Sequence, residues 1–223
     1  MGFEQRPFEL AEFAMNPDPR CPCVLLLDVS GSMAGDSIQQ LSEGYTAFLD
    51  ALRLDPVAAR RVEIAVISFG PVRVDSDFEL VEELPEVQLG VGGDTPMGAA
   101  IEQALDLIEN RKRHYRTAGV PYYRPWIFLI TDGAPTDAWQ AAATRLQLSE
   151  NAKKVAFFAV GVDKADLSIL SQISVRAPLR LRGLQFRDLF VWLSSSLSSI
   201  SKSRIDDEIR LDDPTGPRGW AMI

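Results

Sequence analysis

Apolar side chains are unevenly spread along this chain. Four short runs are hydrophobic at nearly every position: residues 23–29 (CVLLLDV), 62–69 (VEIAVISF), 126–131 (WIFLIT) and 155–162 (VAFFAVGV). A half-exposed strand would alternate, whereas a run apolar on both sides suits a central parallel strand covered on both faces. Residues 72–78 (VRVDSDF) do alternate and follow the second run across Gly70-Pro71 alone. Such a tight link reads as a hairpin, which makes this piece an antiparallel edge strand. Residues 178–184 (PLRLRGL) alternate too and are read as the last strand.

Between the runs the period changes to three and four. Ile38, Leu41, Tyr45, Phe48, Leu49 and Leu52 predict a helix over 36–54, with Pro56 read as its stop. Ile101, Ala104, Leu105 and Ile108 predict another over 97–113, closed by a basic last turn that suits the helix dipole. Residues 138–151 and 184–200 give two more, and Asp166 opens a short one over 166–173. The order β-α-β-β-α-β-α-β-α-β-α predicts an α/β domain. Its central sheet is expected to be Rossmann-like and mostly parallel, with six strands, one antiparallel edge and helices on both faces. The domain is placed at 21–201, after an extension (1–20) and before a polar, acidic tail (202–223).

Composition narrows the function. The chain has 223 residues, 46% hydrophobic and 24% charged, as soluble globular domains do. Its 23 Lys and Arg against 31 Asp and Glu leave a net charge of −8, a poor basis for backbone-driven nucleic-acid binding. One histidine, His114, is too few for His-based zinc catalysis, and two cysteines, Cys21 and Cys23, are too few for a zinc cage. Those two are read as buried thiols flanking a proline. The N-terminus carries no secretory pattern and the apolar stretch 155–162 is far too short to span a bilayer, so a cytoplasmic protein without membrane contact is expected.

Ligands of open parallel sheets gather beyond the carboxyl ends of the strands. The first run ends in Asp28-Val29-Ser30-Gly31-Ser32, the third in Thr131-Asp132-Gly133, and a glycine-rich loop, Gly90 to Pro96, carries Thr95. Three loops at one edge then supply only carboxylates, hydroxyls and carbonyls, the donors of a hard divalent cation. Alternate residues leaving a strand can converge, so Asp28, Ser30 and Ser32 can face one point, with Thr95 and Asp132 completing the shell. Two carboxylates underbind such an ion and leave a position for a carboxylate from a partner.

The DxSGS string, the Thr in its glycine-rich loop and the TDG string together resemble the metal-ion-dependent adhesion site of von Willebrand factor type A (vWA) domains. The resemblance implies Ser30, Ser32 and Thr95 as hydroxyl ligands, with Asp28 and Asp132 acting largely through water. Further stretches (PRCPCVLLLDVSGSM, GDTPMGAAI, YYRPWIFLITDGAPTD, FFAVGV, RDLF) are similar to bacterial cytoplasmic vWA proteins of the YegL and TerY type. That group implies a non-enzymatic, monomeric binding module holding Mg²⁺, Mn²⁺ or Ca²⁺. Its partner would be a protein offering Asp or Glu: a Ser/Thr kinase, a PP2C-like phosphatase or a tellurite-resistance (Ter-family) protein in a stress response.

Rival readings are weaker. A metal-dependent phosphohydrolase using Asp28 would want an acid where Ser30 stands and a lysine in these loops. An adaptor subunit of an AAA+ ATPase is a second rival. The loop GVGGDT lacks both the P-loop and the dinucleotide fingerprints, and a serine hydrolase at Ser37 would have only His114 as base. Asp94 is left outside the ligand set, either supporting the metal from behind or shaping the loop, and Asp137 is read as the cap of the helix that follows it. Tyr122, Tyr123 and Trp139 are read as packing residues, with a partner-binding rim as the alternative.

Overall fold

A computed structural model describes residues 13, 15–85, 87–205, 207, 209–216 and 219–222. The strands are β1 (Cys21–Asp28), β2 (Val62–Phe69), β3 (Val72–Leu80), β4 (Trp126–Thr131), β5 (Ala156–Gly161), β6 (Leu179–Leu181) and β7 (Ala221–Met222). The helices are α1 (Asp36–Arg53), α2 (Pro56–Arg61), α3 (Met97–Ala118), α4 (Gln140–Asn151), α5 (Leu167–Ile173) and α6 (Phe186–Lys202). The sheet runs β3-β2-β1-β4-β5-β6-β7. Its centre is parallel, and β3 is antiparallel to β2 as its alternation predicts. The sheet has seven strands where six are expected from the sequence. The seventh, β7, comes from the tail and pairs antiparallel with β6.

The continuous apolar runs are explained by burial on both faces. Cys21, Cys23, Leu25 and Leu27 of β1 pack beneath α1, α2 and α6, whereas Val24 and Leu26 pack beneath α3 and α4. On the first face α1 and α6 approach closely at Gly44, where a Cβ would stand 2.7 Å from the Phe190 ring. Both thiols are buried, and burial, followed by the charge of Glu63, pushes Cys21 up to about 12.

Local chemistry sets three helix ends, two of them beyond what the sequence pattern predicts. Pro56 does not merely stop α1: Asp55 accepts from the N–H groups of Val57 and Ala58, and Pro56 occupies the first position of a new helix, α2. Helix α3 runs past its basic stretch at 111–113 until Gly119, whose φ of 68° ends it in the left-handed region. Helix α5 is capped by Asp166 as expected, the carboxylate accepting from Ser168 N (2.9 Å) and Ile169 N (3.3 Å).

Described residues on both sides of the sheet-forming segment pack against the domain. Arg20, 1% exposed, reaches Glu63 at 2.7 Å, and Phe13 packs edge-on to Tyr115. At the other end Trp220 is 3% exposed against Trp192, beside the pairing of β7 with β6.

Candidate functional site

The connection from β1 leads through α1 to β2 on one side, while β4 lies against β1 on the other. The switch point of the topology is therefore the crevice above the carboxyl ends of β1 and β4. Asp28 is the last residue of β1, and Asp132 directly follows β4.

Glycines bring the third loop to this crevice. Gly70 and Gly93 touch backbone to backbone: a Cβ on Gly93 would stand 2.4 Å from the Gly70 carbonyl oxygen. Gly93 also needs its φ of 75°. Gly92 N then donates to Val29 O (2.8 Å) and Gly31 N to Gly93 O (3.2 Å), fastening the glycine-rich loop to the loop after β1.

The polar side chains meet in a chain of hydrogen bonds. The Ser30 and Ser32 hydroxyl oxygens are 3.1 Å apart, and Ser32 Oγ donates to Asp132 Oδ1 at 2.7 Å. Asp28 Oδ1 accepts from Ser30 N at 2.8 Å, and Asp28 Oδ2 accepts from the Thr131 hydroxyl. Thr95 is 6% exposed, with its hydroxyl beside Gly133: a Cβ there would lie 3.4 Å from Thr95 Oγ1. All five sequence-predicted residues thus reach one edge of the sheet. Asp28, Ser30 and Thr95 are buried, while Ser32 is exposed and Asp132 half-exposed.

Burial raises the carboxyl of Asp28 above its ordinary range. The Asp132 charge adds to this, against lowering by the Ser30 and Thr131 hydrogen bonds. A buried carboxylate facing a second one favours a cation between them. The donor set suits Mg²⁺ or a similar hard ion. In an octahedron with bonds of about 2.1 Å, neighbouring ligands sit about 3 Å apart, close to the serine–serine spacing. Among the described residues no three His, Cys, Asp or Glu side chains cluster as a metal cage; hydroxyls make up most of this set.

Two supporting residues, Thr131 and Thr136, have no role assigned from the sequence, and a third, Asp137, has a different one from that expected. Thr131 holds Asp28, and its hydroxyl also accepts from Gly133 N at 3.2 Å. Thr136 Oγ1 accepts from Thr95 N at 3.0 Å. Asp137 does not cap the helix that follows it. Its carboxylate accepts from Gly98 N (3.0 Å) and Ala99 N (2.8 Å), capping α3 from a neighbouring loop, whereas α4 has no side-chain cap. The signal for all three is the polar string TDGAPTD after a buried strand.

His114 is removed from this edge by about 25 Å of helix, since α3 starts at the site and rises about 1.5 Å per residue. Tyr122 and Tyr123 precede β4 and lie at its other end, Tyr122 stacked 5.1 Å from Tyr115 and Tyr123 buried.

The class of protein is set by these features: a doubly wound α/β domain whose ligand-facing loops at the switch point are rich in hydroxyls. The sequence profile of the von Willebrand factor type A domain matches residues 23–179, and the chain belongs to that family. Human matrilin-3 is 25% identical over 161 residues, covering 68% of this chain and 31% of matrilin-3. The vWF domain of the type V pili tip protein Mfa5 from Porphyromonas gingivalis aligns with a TM-score of 0.63 at 12% identity, covering 86% of this chain and 99% of that one. The pilus adhesin SpaC from Lactobacillus rhamnosus GG aligns at 0.66 and 12% identity, over 82% of this chain and 31% of SpaC. The two structural likenesses speak for the fold alone. The chain spans just under a third of matrilin-3 and of SpaC. No helix among the described residues is long and apolar enough to cross a membrane.

Proposed function

We propose that this vWA domain is a non-enzymatic, metal-dependent protein-binding module. Ser30, Ser32 and Thr95 would hold Mg²⁺, or Mn²⁺ or Ca²⁺ in its place, with Asp28 and Asp132 ordering the hydroxyls and the ion's water. The ion would supply positive charge at the rim, to which an Asp or Glu of a partner protein adds the last oxygen. The observation that carries this reading is the hydrogen-bonded row Ser30–Ser32–Asp132, which joins two loops at the switch point. In that row the exposed Ser32 and half-exposed Asp132 face solvent while Asp28 is buried behind them. A partner carboxylate reaching a partly dry site makes a charge-assisted contact stronger than the same contact in water.

The finer reading rests on the motif resemblance: a cytoplasmic, monomeric protein of the YegL/TerY type. Its partner would be a kinase, a PP2C-like phosphatase or a tellurite-resistance protein in a stress response. Partner capture by the purified chain should require Mg²⁺, be lost in EDTA and be absent in Asp132→Ala. Capture indifferent to EDTA, or phosphoester turnover abolished by Asp28→Asn, would contradict this reading.

A further inference from the structure

A cavity of about 1040 Å³ lies at the opposite end of the sheet from the serine–aspartate row, with Trp126 and Ala156, the first residues of β4 and β5, in its wall. Six cationic side chains line it: Lys112, Arg116, Arg124, Lys153, Lys154 and Arg176. Among the described residues, the acids of the lining are Glu109 and Asp207. An acidic chain therefore gathers about a quarter of its 23 Lys and Arg around one concavity, where low-dielectric walls focus the field.

Half of these cations are spoken for inside the fold. Lys112 gives a hydrogen bond to Glu109 at 2.8 Å, Arg176 pairs with Glu150, and Arg124 donates to the carbonyls of Val155 (2.6 Å) and Glu150 (3.0 Å). The other three, Arg116, Lys153 and Lys154, are exposed and form no ion pair among the described residues. Lys153 sits just past the end of α4 with φ of 55°, a conformation usually given to glycine. That turn, closed by Lys153 N to Glu150 O (2.9 Å) and Lys154 N to Ser149 O (2.8 Å), sets two successive lysines at the rim.

The surroundings register the excess charge. Glu109 is held below the ordinary carboxylate range by its hydrogen bond from Lys112, which with the charges of Lys112, Lys154 and Arg116 outweighs burial. Arg124 is lowered from the usual guanidinium value by burial and then by Arg176, with Glu150 opposing. One wall is aromatic: Trp126 and Phe158 lie 4.7 Å apart, and the Arg176 guanidinium stands 5.1 Å from the Phe158 ring centre. Tyr122 and Phe158 are half-exposed.

We propose that this cavity binds a nucleoside polyphosphate, with Arg116, Lys153 and Lys154 taking the phosphates and the wall of Tyr122 and Phe158 taking the base. Exposed cations with no ion pair among the described residues, and half-exposed rings in the same concavity, supply the two contacts such a ligand needs. The site shares no residue with the proposed metal centre and stands or falls independently of it.

The test is calorimetric titration of the full chain with ATP and with inorganic tripolyphosphate, in EDTA at 0.15 M salt so that no metal takes part. The variant is Lys153→Asn/Lys154→Gln, in which Asn tolerates the positive φ and the exposed positions leave the fold intact. We expect saturable ATP binding, weaker tripolyphosphate binding, and at least a tenfold loss of ATP affinity in the variant. Absence of saturable ATP binding, or equal binding by the variant with an unchanged melting temperature, would overturn the site. Tripolyphosphate binding as tight as ATP would overturn the assignment of the rings.

Discussion

Thr131 decides how Asp28 is held. With its carboxylate fully buried, Asp28 depends on the Thr131 hydroxyl and the Ser30 N–H for its hydrogen bonds. Thr131→Val keeps the shape and removes the donor, so the metal-free protein should lose about 2 kcal/mol, the cost of an unmet hydrogen bond to a buried carboxylate. The urea midpoint measures this; an unchanged midpoint would mean that Asp28 is satisfied without Thr131. Ser30, Ser32 and Asp132 were legible in the sequence because loop polarity after an apolar strand has few structural causes. Thr131 was not, since it ends the run WIFLIT and reads as part of the strand. Asp137 misled for a different reason: it precedes a helix in sequence yet caps another one in space.

Among the elements, the four buried strands and four long helices were legible because each is long enough to show its period. Helix α2 was not, being six residues that depend on Asp55 and Pro56. Asp55 also takes an ion pair from Lys202, tying α2 to the end of α6. Burial alone would raise its carboxyl, but the hydrogen bonds from Lys202, from Ala58 and Val57 N–H and from Ser198 bring it below the ordinary aspartate range. A depressed folded value means that this stabilisation is present above the unfolded pKa and is lost as pH falls through the folded one. Asp55→Ala should therefore cost about 1 kcal/mol near neutral pH, and the gap to wild type should close below about pH 4. Melting temperatures from pH 7 to pH 3 follow this; a gap that persists into acid would assign the effect to packing instead.

At the scale of the whole molecule, the sheet is finished by a segment with no signature of its own. Strand β7 is two residues long, and what brings it back is Trp220, buried beside Trp192 at 5.7 Å between ring centres. Paired strands this short carry no readable alternation, so the sequence alone does not separate a docked tail from a mobile acidic arm. Trp220→Ala should cost about 3 kcal/mol, as buried aromatic truncations do, and expose the tail to proteases ahead of the rest; an unchanged digestion pattern would show that β7 adds nothing. The −8 net charge likewise has a spatial structure, with two carboxylates at the switch point and a cluster of cations at the far end of the sheet. A metal centre at the switch point is tested most directly by the melting temperature of wild type and Ser32→Ala across a Mg²⁺ titration. A ligand at 100 times its dissociation constant adds about 2.7 kcal/mol, which in a domain of this size raises the melting temperature by about 5–10 °C. Wild type should show that rise and Ser32→Ala should not; equal responses, or none in wild type, would contradict a metal centre here.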